Sequence, residues 1–158
     1  MSISYRPAIL KDQKFMTDVM IQAFHYDSQK HLGSRIFAGP PGYDTGVLAH
    51  KLIDSLELKT LIIDYNGLDM GLITINLNQH SLEYFCLYPQ YIGKGLGTKI
   101  WYQIESMFEL DDWSVETPEY SLSNRKFYQK LGFKELGKKQ YSATNFSIYL
   151  YKKMPKAN

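Results

Sequence analysis

Residues 3–6 alternate apolar and polar positions, with Ile3 and Tyr5 on one side, and predict a short strand. Asp12 suits a helix N-cap, and after it Phe15, Met16, Val19, Met20, Ala23 and Phe24 recur at helical spacing. Residues 27–46 enclose Gly39-Pro40-Pro41-Gly42 and predict a long loop, a kind of segment that often carries function in a compact domain. Helix returns over 47–56, with Val47, Leu48, Leu52 and Leu56 as its apolar face. Two β-rich runs, 60–65 and 70–77, flank Asn66-Gly67, a strong hairpin dipeptide. Residues 82–88 form a further strand, nearly continuously apolar from Tyr84, as a central strand buried on both faces would be, and Pro89 ends it. From Thr98 the spacing of Ile100, Trp101, Ile104, Met107 and Phe108 is helical. A short strand over 113–115, a helix over 121–131 closed by Gly132, and strands over 133–137 and 146–151 complete the chain. The order β-α-α-β-β-β-α-β-α-β-β predicts an α/β (α+β mixed) fold. One mixed sheet carries helices on both faces, unlike a doubly wound parallel sheet or a bundle.

Composition narrows the setting. The 158 residues contain no repeat, linker or low-complexity tract, which predicts one domain over 1–158. With 44% hydrophobic and 22% charged residues, the chain is neither disordered nor collagen-like. A lone cysteine, Cys86, excludes an internal disulfide and suits a reducing cytosol. No apolar run reaches membrane-spanning length and no signal-peptide pattern opens the sequence, so a cytoplasmic protein without a membrane partner is expected. Net charge is only +2 but unevenly placed. Residues 101–123 hold Glu105, Glu109, Asp111, Asp112, Glu116 and Glu119 without a Lys or Arg. From Arg125 onward Lys126, Lys130, Lys134, Lys138, Lys139, Lys152, Lys153 and Lys156 face one acid, Glu135. A basic third of this kind could bind nucleic acid or a phosphate-bearing ligand, or be a solvated surface; no aromatic–basic RNA-binding signature accompanies it.

The chemistry concentrates in Leu87-Tyr88-Pro89-Gln90-Tyr91-Ile92-Gly93-Lys94-Gly95-Leu96-Gly97-Thr98. Three alternating glycines between an apolar strand and an amphipathic helix let backbone N–H groups converge on an anion. The helix start adds its own unpaired N–H groups and positive dipole end, which together make a phosphate or pyrophosphate cradle. Two nucleotide motifs are excluded by spacing. G-x-G-x-x-G fails because Thr98 stands where its third glycine belongs, and Gly97-Thr98-Lys99 has the wrong order for a Walker A loop.

Gln90-x-x-Gly93-x-Gly95 resembles the Q/R-x-x-G-x-G/A signature of the GNAT N-acetyltransferase superfamily. Phe127-Tyr128-Gln129-Lys130-Leu131-Gly132-Phe133 is similar to the family's F-Y-x-K-x-G-F segment, and Tyr5-Arg6-Pro7-Ala8 with Asp12 resembles its first strand and helix cap. The resemblance covers about the whole chain. It implies a mostly antiparallel central sheet of about six to seven strands, acetyl-CoA as cosubstrate without a metal, and a primary amine as acceptor. In such folds the central strands splay, so main-chain groups of Phe85 and Leu87 would pair with pantetheine as an added strand. Backbone N–H groups of Gly93, Lys94, Gly95, Leu96, Gly97 and Thr98 would hold the pyrophosphate, with the Lys94 charge nearby. Relatives often carry an asparagine seven residues before the tyrosine. Here that residue is Ser121, with Asn124 one turn before Tyr128, and either could contact the cofactor or cap the helix.

Aminolysis of a thioester needs a neutral amine, a polarised carbonyl and a proton for the departing thiolate. Tyr128 resembles the family's general acid; its alternative is one more aromatic at a helix–sheet contact. Glu83, four residues before Leu87 and expected on the same strand face as Phe85 and Leu87, is the candidate base, with Glu116 or water as alternatives. Cys86 suits a buried apolar position, the four histidines lack metal-ligand spacing, and His25 with Tyr26 could line an acceptor pocket or end a helix. A non-catalytic acyl-CoA-binding module and a nucleic-acid-binding domain are the competing functions. A homodimer through the C-terminal strands follows only by analogy with the fold.

Overall fold

A computed structural model describes residues 2–140 and 147–154. Seven strands, β1 (Ile3–Pro7), β2 (Leu58–Tyr65), β3 (Leu68–Asn76), β4 (Ser81–Leu87), β5 (Trp113–Pro118), β6 (Lys134–Gln140) and β7 (Ser147–Lys153), form one sheet in the order β1-β2-β3-β4-β5-β7-β6. Every pairing is antiparallel except β4 with β5. The predicted mixed sheet is therefore observed, mostly antiparallel. Phe146, the expected start of the last strand, lies outside the described residues.

Helices α1 (Gln13–Leu32) and α2 (Val47–Asp54) cover one face; α3 (Leu96–Phe108) and α4 (Leu122–Lys130) cover the other. The two apolar clusters have different reach. Under α3 and α4, a core built on Trp101 joins Leu61, Ile73 and Leu82 to Trp113, Val115 and Tyr151, so it spans both halves of the sheet. Under α1 and α2, the core of Met16, Met20, Leu48, Leu52, Ile62, Leu72 and Cys86 contains, among the described residues, none beyond Tyr88. No described helix is long and apolar enough to cross a membrane.

Several local expectations hold and others need correction. Asn66 and Gly67 both take positive φ (53° and 88°), the conformation the tight hairpin requires. Asp12 stands at the α1 N-cap position but does not cap that helix. Its carboxylate accepts the Ile9 N–H and a two-pronged bond from the Arg6 guanidinium, which also holds its pKa below the usual carboxylate value. The predicted loop 27–46 shrinks, because α1 continues to Leu32. Buried Ser28 then pins the first part of the shortened loop: its Oγ donates to Ile36 O and accepts the Ala38 N–H. Helix α2 stops at Asp54, where the Ser55 hydroxyl accepts the N–H groups of Glu57 and Leu58.

The sign change in charge along the sequence is resolved by the topology. Adjacent β5, β7 and β6 bring the acidic and basic stretches together: Glu116 pairs with Lys139 (3.0 Å), Glu119 with Lys138 (2.7 Å) and Asp112 with Lys152 (2.9 Å). Glu105 on α3 takes Lys153 (2.7 Å), and Arg125 lies between Glu135 (3.9 Å) and the Tyr149 ring. The C-terminal third thus carries its own counter-charges, which argues against the nucleic-acid reading.

Candidate active site

The site begins where the sheet comes apart. β4 and β5 pair only at Ser81–Ser114 and Leu82–Val115, and the remaining residues of β4 have no partner on that side. Tyr84 to Leu87 therefore present about 13 Å of open strand edge. On its other side β4 stays paired to β3 from Tyr84 to Leu87, and Tyr88 N–H donates to Met70 O. Antiparallel residues alternate in the direction of their main-chain groups. Tyr84, Cys86 and Tyr88 thus bond to β3, while Phe85 and Leu87 turn N–H and C=O to the open edge. Thr117, two residues beyond the last β4–β5 pair, has a buried hydroxyl without a hydrogen-bond partner among the described residues, a feature that no sequence motif marked.

A bulge changes the reading of Glu83. Ile75 faces Leu82 and Thr74 faces Tyr84, so Glu83 has no opposite residue. Strict alternation is therefore broken between Leu82 and Tyr84. Leu82, Phe85 and Leu87 share the α3/α4 face, although their numbers differ in parity. Glu83 itself is exposed and accepts the Ser81 hydroxyl at 3.0 Å, and its charge raises the pKa of Tyr84 after the larger effect of burial. The alternative base, Glu116, is engaged by Lys139.

Beyond Leu87 the chain makes a 3-10 turn over Pro89–Tyr91, leaving Gln90 exposed, and then the glycine segment. Gly93 and Gly95 take φ of 80° and 78°, which explains glycine at both positions, and a Cβ on either would meet nothing within 4 Å. Gly95 is the α3 N-cap, and its carbonyl accepts Lys99 N–H. The N–H groups of Leu96, Gly97 and Thr98 precede that first bond and have no partner within the helix. Lys94 is exposed beside them, whereas Leu96 is buried in the core. Gly97 lets α4 come close: a Cβ there would lie 3.3 Å from the Phe127 ring, tighter than most such contacts.

Tyr128 reaches the same region from the other half of the sheet. Its ring packs against Phe127 and Phe133 in the α3/α4 core. Cys86, in the α1/α2 core, and Asp27, on α1, are close enough for their charges to act on its hydroxyl. Burial, then those two neighbours, holds the phenol well above its usual pKa, and it stays protonated at neutral pH. Burial likewise pushes the Cys86 thiol to about 12, which leaves it inert as a nucleophile. Ser121 is fully buried and its hydroxyl donates to Asp27 Oδ1 at 2.9 Å; Asn124 is exposed. His25 Nε2 lies 2.6 Å from Tyr43 Oη, tying α1 to the loop before α2. Among the described residues no group of His, Cys, Asp or Glu could hold a metal ion.

This arrangement matches known proteins in sequence and in shape. A family model described as an acetyltransferase (GNAT) domain matches residues 44–152. The fold is shared with PaiA N-acetyltransferase from Thermoplasma acidophilum, solved in complex with coenzyme A, at 17% identity and a TM-score of 0.73, covering 98% of this chain and 99% of that one. An acetyltransferase from Thermus thermophilus gives 12% identity and a TM-score of 0.76 over 98% and 97% of the two chains. The ribosomal-protein-S18-alanine N-acetyltransferase of Escherichia coli gives 13% and 0.68 over 99% and 97%. No curated protein matches the sequence.

Proposed function

The chain belongs to the GNAT acetyltransferase family, and from that premise we propose that it is an N-acetyltransferase moving the acetyl group of acetyl-CoA to a primary amine by direct attack. The observation that carries the reading is the open edge of β4 running into the glycine segment and the α3 N-terminus. An extended ligand with amides at one end and a pyrophosphate at the other fits that succession. Phe85 and Leu87 pair with the amides by strand addition. The N–H groups from Gly93 to Thr98 receive the pyrophosphate, Lys94 adds charge, and Gln90 borders the cradle. Ser121 has spent its hydroxyl on Asp27, so exposed Asn124 is the better cofactor contact of the two.

In the reaction the amine nitrogen attacks the thioester carbonyl carbon. The C–N bond forms, the C–S bond breaks, and the CoA thiolate takes the Tyr128 phenolic proton. Glu83, directly or through water, first takes one proton from the ammonium so that the neutral amine attacks; the second proton, lost by nitrogen as the amide forms, returns to the Tyr128 phenolate directly or through water. The raised pKa of Tyr128 suits an acid that must hold its proton until the sulfur departs. CoA release measured across an amine panel, with acetylated products identified by mass spectrometry, tests the reading. Acetyl-CoA binding without release on any amine would make the chain an acyl-CoA-binding module instead.

A further inference from the structure

We propose that Asp27 and Ser121, flanked by His31 and Ser123, form a clasp across the β4–β5 gap that positions Tyr128; the catalytic half of this inference rests on the acetyl-transfer reading above. On the α3/α4 face a shared apolar core ties the two halves of the sheet together. On the α1/α2 face the buried core of the described residues ends at Tyr88, and hydrogen bonds join the C-terminal half to α1. Those contacts join the last turns of α1 to the first turn of α4. Ser121 Oγ donates to Asp27 Oδ1 at 2.9 Å, Lys30 Nζ donates to Ser123 Oγ at 2.9 Å, and His31 Nε2 lies 3.0 Å from the same Oγ and accepts Ser123 N–H at 3.4 Å. His31 Nε2 is also 3.6 Å from Asp27 Oδ1.

Ser121 shows what the clasp displaces. It occupies the N-cap position of α4, where a serine ordinarily bonds to its own helix, yet it makes no such bond and turns its fully buried hydroxyl to α1. Tyr128 comes seven residues after Ser121, about two helical turns, and so lies on the same stripe of α4. Fixing Ser121 against Asp27 therefore fixes the azimuth and depth of Tyr128. Asp27 is also near enough for its charge to act on the Tyr128 hydroxyl. Neither Asp27 nor Ser121 touches the reacting atoms; both are positioning residues.

Two readouts test this, one of them independent of activity. The first is labelling of Cys86, the chain's single cysteine and only 2% exposed, by Ellman's reagent under native conditions. Ser121→Ala and Asp27→Ala are expected to speed labelling by about tenfold over Arg6→Ala, a control at the far sheet edge, after each rate is corrected for the variant's measured stability loss. Asp27→Asn, whose amide oxygen still accepts the Ser121 hydroxyl, should label near the wild-type rate. Labelling of both alanine variants at the control rate overturns the clasp. The second readout is single-turnover acetyl transfer to an amine that the wild type acetylates. Ser121→Ala should slow it about tenfold with acetyl-CoA affinity within about twofold, because displacing a reacting group by a fraction of an ångström costs on that order. In a Tyr128→Phe background the same substitution should slow it no further, whereas equal slowing in both backgrounds overturns the positioning of Tyr128. A wild type that acetylates no amine, together with faster Cys86 labelling in Ser121→Ala, refutes the transfer reading and upholds the clasp.

Discussion

Gly95→Asp separates the stability of the glycine segment from its affinity for an anion. An added Cβ meets nothing within 4 Å, so the cost in the folded chain is that of a side chain at φ 78°, about 1–2 kcal/mol. Part of this returns without ligand, since a carboxylate sits well at the positive end of α3, an effect of up to about 1 kcal/mol. The melting temperature should therefore move by only a few degrees. With a pyrophosphate present the sign of the charge effect reverses. A carboxylate about 4 Å from one phosphate charge costs about 1 kcal/mol at the dielectric of water and about 4 kcal/mol at an effective value near 20. That corresponds to a loss of affinity between about fivefold and several hundredfold. Gly95→Ala carries the same backbone strain without the charge and is expected to lose less than about threefold. Calorimetric titration of the folded wild type and both variants with CoA measures the difference. Repeating it at about 0.3 M salt should narrow the gap, as screening requires. A folded Gly95→Asp that binds CoA within about twofold of Gly95→Ala would refute the cradle.

The same geometry sets other outcomes. Tyr128→Phe should lower the single-turnover rate by roughly 10²–10⁴ with acetyl-CoA affinity unchanged, and a rate within about twofold of wild type would leave Tyr128 as a packing residue. Because burial raises the phenol's pKa, the wild-type rate should show no fall from this group at about pH 10, where an ordinary tyrosine would be half ionised. Asp12→Asn should destabilise by about 1 kcal/mol at pH 7. The folded Asp12 pKa is depressed by Arg6, so this contribution is fully present above the unfolded value near 4 and is lost as pH falls through the folded value. Denaturant melts at pH 7 and pH 2.5 should show a smaller deficit for the variant at the second than at the first. Heparin should not retain the chain at about 0.2 M salt, given the ion pairs that neutralise Lys138, Lys139, Lys152 and Lys153; retention would reopen nucleic-acid binding.

What was legible in the sequence was what local chemistry determines. Asn66-Gly67 announced its turn because few other residue pairs tolerate two positive φ angles. The glycines at 93 and 95 announced left-handed backbone before α3 for the same reason, and the helical stripe of Ile100, Trp101 and Ile104 announced the face that α3 buries. What was not legible depends on partners distant in the chain. Leu82 shares a face with Phe85 and Leu87 because the β3–β4 register slips opposite Glu83, and nothing in residues 81–87 alone encodes that slip. The continuation of α1 through Asp27 and His31 is favoured by contacts with Ser121 and Ser123, more than ninety residues away. The charge asymmetry suggested a binding face until strand order brought Glu116 beside Lys139.

The narrow junction between β4 and β5 also bears on how the molecule unfolds. A sheet propagates cooperativity through its ladder of main-chain bonds, and here two residue pairs carry that ladder from one half to the other. β2, β3 and β4 are consecutive hairpin neighbours, a local topology that assembles quickly, whereas β5, β7 and β6 close around a strand that arrives last in the chain. The halves are thus predisposed to act as separate units in native-state hydrogen exchange, with α3 as the splint between them. A ligand laid along the open β4 edge would occupy the interrupted part of the ladder. Its binding energy would then appear less as protection of β2 and β3, which are already secured, than as slowed opening of β5, α4 and β7.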